Sequence, residues 1–364
     1  MRWQVRGVGR SLLGGLLLLG LSVPGAGAPA RAPARAADPA GTAAPDSEGR
    51  LLVLNKADGT LMVLDVPSYQ RLATIGVGAE PHEVVVTPDG RKAYTSNVRD
   101  RSLSVVDLNA YKVVKTIRAP VFDFPHGMGI TADGRRLLLT SEGSRRLVLI
   151  DTARDVVLRT LTTNQQGSHM VALLKGDRRA FVSNRKSDTV SEISVPELKI
   201  VRNLKVGAGP EGIASTANGR WLLVALQGSD QLAILHSESR EAIARLPTGA
   251  TPVRVAVTPN SFTALVSNRA SNDVTVIDLL ERRVKATVRV GLSPGGIVSN
   301  AQGTRAYVCN NGSNSVSVIS ISAGEVTETL PAGGGPDGVA FVPSLGTARE
   351  RGAPRLKRHT GEGS

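Results

Sequence analysis

The chain has 364 residues, a formal net charge of +13, only 3% aromatic residues and one cysteine. The single cysteine, Cys309, excludes an internal disulfide and reads as a buried, inert thiol. The surplus of cations attracts anions, but Lys and Arg are scattered through every loop, and the scarcity of aromatic residues disfavours a nucleic-acid surface built on stacking platforms.

In chain order, Arg2, Arg6 and Arg10 precede the apolar run SLLGGLLLLGLSV and then small residues. This pattern predicts a secretory signal peptide over residues 1–36, cleaved between 28 and 36 and too short for a comfortable membrane span. It points to export, periplasmic or secreted, with no transmembrane anchor once the signal is removed. Residues 37–49 hold too little apolar surface to offset the entropy of ordering and read as a disordered linker. Residues 345–364 read as a disordered basic tail.

Between them, over residues 50–344, the chain repeats itself. PHEVVVTPDG at Pro81 recurs at Pro125, Ser168, Pro210, Pro252, Pro294 and Pro336, in steps of 44, 43, 42, 42, 42 and 42 residues. Within a repeat, PHEVVV, KAYTSN, SLSVVDL and KVVKTIRA predict four strands, the first two joined by a turn at Asp89-Gly90. Alternation in VSVIS and VTVID fits strands packed between neighbouring sheets. Asn55, Asn97, Asn184, Asn268 and Asn310 end the second strand and predict local turn chemistry. A period near 40 to 45 residues with four short strands defines an all-β fold, a seven-bladed β-propeller of four-stranded antiparallel blades.

The segments AYTSN, FVSN, LVSN and YVCN resemble the YVTN β-propeller repeat family from Leu51 to Ser344, departing at Ser141, Ser168 and Leu226. The resemblance implies that the strand after each proline lies innermost. The last repeat stops after that strand, while LLVLNK, TLMVLDV and RLATIGV match strands two to four. One C-terminal strand and three N-terminal strands therefore complete the seventh blade and close the ring without a large free edge.

The residues following the repeat proline should then encircle one channel mouth: His82, His126, His169, Glu211, Val253, Gly295 and Asp337. Three of the chain's five histidines share this register. Neutral imidazoles on adjacent strands suit a transition metal such as Zn or Cu, with Glu211 or Asp337 adjusting the shell; the alternative is three histidines bonded to loop carbonyls. Glu83 and Arg254 stand one position further on, where four other blades carry glycine, and put charge near the axis or into channel solvent. The connection into the second blade is longer and places Phe122, Asp123 and Phe124 before His126, either as the wall of a ligand site or as a small core beneath the loop, with Asp123 exposed.

The reading favours a non-enzymatic module that binds a small molecule or a protein partner as a monomer. A metal-dependent lyase or hydrolase using His82, His126 and His169 is the alternative. The resemblance extends to streptogramin lyases, where histidines of this kind of register take part in eliminative cleavage, which would cast one histidine here as a general base. Single-stranded nucleic-acid binding and service to an exported redox system stand behind these. No Cys-x-x-Cys-His attachment site for covalent heme, phosphate-cradling loop or nucleophile elbow is present.

Overall fold

The computed structural model describes residues 49–344, so the signal peptide, most of the linker and the basic tail lie outside the described residues. Seven four-stranded antiparallel sheets follow one another along the chain. The inner strands are Pro81–Val86, Pro125–Ile130, Ser168–Leu173, Pro210–Ser215, Pro252–Val257, Pro294–Ser299 and Pro336–Pro343, and they number blades 1 to 7 below.

Blade 7 is completed as the sequence predicts. Strand Pro336–Pro343 pairs antiparallel with Gly49–Asn55, which continues into Thr60–Val66 and Arg71–Gly76. The pairing runs from Gly49 opposite Pro343 to Asn55 opposite Pro336 and joins the two ends of the ring without a covalent bond.

The core is divided among the seams between blades. Successive side chains on a strand point to opposite faces. In strand Arg305–Asn310, Tyr307 and Cys309 join the cluster shared with blade 7, whereas Ala306 and Val308 join the cluster shared with blade 5. Seven such clusters occur, one per seam. The second and third strands are therefore buried on both faces, while the outer strands are largely exposed, as in Lys112–Arg118, where Lys112, Lys115 and Arg118 discourage edge pairing.

The asparagines ending the second strands act differently from the expectation. Their side chains are buried and reach the third strand of the same blade: Asn97 Nδ2 donates to Ser102 and Ser104, and Asn184 Nδ2 to Thr189 and Ser191. They tie one hairpin together where local backbone bonding was anticipated.

Candidate functional site at the channel mouth

Two repeated devices place the inner residues. The residue before each repeat proline is left-handed in all seven blades, with φ between 52° at Glu80 and 68° at Gly167. Its carbonyl accepts from the residue after the second strand, for example Glu142 N to Phe124 O at 3.1 Å and Arg185 N to Gly167 O at 2.8 Å. A second-strand hydroxyl then links neighbouring inner strands. Ser96 donates to the carbonyl of His126, Thr140 to that of His169, Ser183 to that of Glu211 and Ser267 to that of Gly295, at 2.6 to 2.8 Å. Close approach is permitted by glycine: a Cβ on Gly212 would stand 2.8 Å from Arg254 Cα. Cys309 occupies this hydroxyl register in blade 6, where burial pushes its thiol well up.

The mouth is filled by one buried cluster. The His126 ring lies 3.8 Å from that of His169 and 4.3 Å from that of His82, centroid to centroid, and 6.0 Å from the nearly parallel Phe124 ring. Arg254 reaches from blade 5 across the ring axis to Glu83 of blade 1, with Nε at 3.0 Å and Nη2 at 2.5 Å from Oε1, and its Nη1 lies 3.6 Å from Glu211.

Each imidazole has a distinct environment. Lys56 Nζ stands 2.7 Å from Nε2 of His82, so that nitrogen accepts and the proton sits on Nδ1, 3.1 Å from Asp337 Oδ2 but off the hydrogen-bond direction. Burial, with Lys56 and Arg254 nearby and Asp337 opposing, lowers the His82 pKa to about 3. Burial and the neighbouring His169 and His82 also hold His126 well below its ordinary value, and its Nδ1 is buried without a hydrogen-bond partner. His169 is clamped: Nδ1 bonds Glu142 Oε2 at 2.9 Å, and Nε2 lies 2.9 Å from Glu211 Oε1, again off-axis.

The carboxylates divide in the same way. Burial raises Glu83 in spite of Arg254, whereas Glu211, also penalised by burial, is held down to about 2 by His169, Arg254 and Arg185. Donor atoms of His82, Glu83 and His126 lie within 4.8 Å of one another. A tetrahedral ion at about 2.0–2.1 Å from nitrogen or oxygen spaces its donors by roughly 3.3 Å, so modest inward movement closes this set.

Of the residues expected at the mouth, His82, Glu83, His126, His169, Glu211, Arg254 and Asp337 come together. Phe122 does not: it is 2% exposed in the seam between blades 1 and 2, packed with Tyr94 and Leu137. Asp123 lies on the rim, 3.2 Å from Arg101. Phe124 is 39% exposed and faces a cleft of about 640 Å³ that Glu142, Arg145, Arg185 and Lys186 also line. Lys56, Glu142 and Arg185 escaped the sequence reading. All three directly follow a second strand, so aligning the repeats one position beyond the strand-ending residue would have exposed this second ring of variable charge.

The cytochrome D1 heme domain family matches residues 46–262, more than half of the chain. The chain belongs to the cytochrome D1 heme domain family. This family was not foreseen in the repeat resemblance, and its seven-bladed propeller agrees with the architecture. Comparison with curated proteins finds no match. Among solved structures, hydrazine synthase from Kuenenia stuttgartiensis is similar at 20% identity and TM-score 0.67, covering 78% of this chain and 99% of that one. A functionally unknown protein from Desulfotomaculum acetoxidans is similar at 15% identity and TM-score 0.72, covering 81% and 99%. Both likenesses show the fold alone.

The family name implies a heme, and the cytochrome D1 heme domain of this chain does not fit one at the mouth. His126 already has the His169 ring stacked against it and the tilted His82 ring beside it, and the surrounding space is taken by Lys56, Glu83, Glu142, Arg185 and Arg254. A macrocycle needs an apolar slot, yet the adjoining cleft offers one aromatic ring among polar and charged groups. Among the described residues, no helix is long and apolar enough to cross a membrane.

Proposed function

We propose that this is an exported binding protein whose channel mouth holds a divalent transition metal of the non-heme kind through His82, Glu83 and His126, beside a cleft that receives its ligand. The observation that carries the reading is the approach of two imidazoles and one carboxylate to within 4.8 Å, with His126 Nδ1 buried and unpartnered. Two nitrogens and one oxygen suit Zn²⁺ or Fe²⁺, and three protein donors leave further positions for water or ligand. Arg254 on Glu83 and Asp337 beside His82 Nδ1 are the neighbours that orient such donors, while Lys56 has to yield His82 Nε2 to the ion. His169 is left outside the donor set because carboxylates face both of its nitrogens.

The test is elemental analysis of the protein after chelation, reloading with Zn²⁺ or Fe²⁺ and dialysis. About one ion per chain is expected, lost in His82→Ala and His126→Ala and retained in His169→Ala. Absence of stoichiometric metal in the wild type, equal loading of the His82→Ala/His126→Ala double variant, or a heme absorbance band after heme titration overturns the proposal.

A further inference from the structure

The cleft beside His126 and His169 carries its own chemical signature. Its carboxylates already have partners: Asp123 pairs with Arg101 at 3.2 Å, and Glu142 with Arg185 at 3.2 Å and with the His169 imidazole at 2.9 Å. Two further cations line it. Lys186 stands 3.9 Å from Glu142 with its side chain 63% exposed, and Arg145 is exposed with no ion-pair partner among the described residues. The cleft lining, with Arg145, Arg185 and Lys186 against Asp123 and Glu142, therefore keeps a net positive charge.

The apolar side of the cleft is Phe124, at a position whose backbone is left-handed in every blade and is glycine in three of them. Its φ of 56° belongs to the repeated device that precedes every inner strand and sets the ring at the mouth. The ring lies within 4° of parallel to His126, so it continues the imidazole stack out to the cleft wall. An exposed flat ring beside two exposed cations is a recognition surface for a molecule that is planar at one end and anionic at the other.

We propose that the cleft binds a small conjugated carboxylate, its planar part against Phe124 and its anionic group toward Arg145 and Lys186. Its placement beside a metal rests on the reading above; the recognition of anion and ring rests on the cleft alone.

Binding of 2-naphthoate, followed by its own fluorescence, tests this on chelated and on Zn²⁺-loaded protein, with neutral 2-naphthamide as the control. Saturable one-to-one binding of the acid is expected, weaker by about tenfold or more for the amide, for Arg145→Ala/Lys186→Ala and for Phe124→Ala. Metal content and melting cooperativity of these variants should match the wild type. Absence of binding to the wild type, equal binding of acid and amide, or equal binding by the variants overturns the proposal. Naphthoate binding by a protein that takes up no metal sinks only the metal reading. Metal uptake without naphthoate binding sinks only this one.

Discussion

At the scale of single residues, Glu211 shows how the mouth stores charge. Its buried carboxylate faces His169 at 2.9 Å, Arg185 at 3.4 Å and Arg254 at 3.6 Å, and together they hold it at about 2. A carboxylate depressed in the folded state stabilises the fold fully above its unfolded value near 4.3 and loses that contribution as pH falls toward the folded value. Glu211→Gln should therefore cost about 3 kcal/mol at pH 7, with the gap from wild type shrinking steadily from about pH 5 to pH 2. Urea denaturation at several pH values measures it, and a gap independent of pH would contradict the assignment. That Glu211 and the three histidines meet at one mouth was legible because they share one register of the repeat. The clamp itself was not, since Glu142 and Arg185 approach His169 and Glu211 only once blades 2, 3 and 4 are stacked.

At the scale of elements, the connection from Ala119 to Phe124 separates two phenylalanines that look alike in sequence. Phe122 N bonds Ala119 O at 2.9 Å, and Ser141, standing where five other blades have asparagine, receives Asp123 N at 2.8 Å. The loop is thereby folded inward at Phe122 and outward at Phe124. Phe122→Ala should cost about 3–5 kcal/mol by opening the seam between blades 1 and 2. Phe124→Gly should stabilise by about 1 kcal/mol, because glycine accepts the left-handed backbone without a Cβ penalty. Chemical denaturation of both variants checks the opposite signs, and a comparable loss in both would show that Phe124 is also core. Strands and hairpin turns were readable from alternation and from Asp-Gly pairs. The buried asparagine bridges were not, because their partners lie across a hairpin rather than in local sequence.

At the scale of the whole molecule, stability depends on a ring that no single blade can supply. The seven seams hold the core, so opening one seam exposes two apolar faces. Blade 7 rests on the pairing of Pro336–Pro343 with Gly49–Asn55. A chain ending at Gly335 should fail to melt cooperatively, or melt at least ~10 °C below the full chain. Circular dichroism on heating decides it, and an unchanged transition would show that the terminal strand is dispensable.

Repetition at a fixed period, with apolar residues alternating in each strand, was sufficient by itself to specify the all-β ring, its seven blades and its shared final blade, because each unit can bury its faces only against a copy of itself. Tertiary structure alone decided which ring residues form the site. Stacking the blades brings Arg254 to Glu83 across 171 positions of sequence, sets His169 between two carboxylates and turns one phenylalanine to the core and the other to the cleft. Those outcomes depend on distances between blades and on which groups compete for the same buried space, and periodicity carries no information about either.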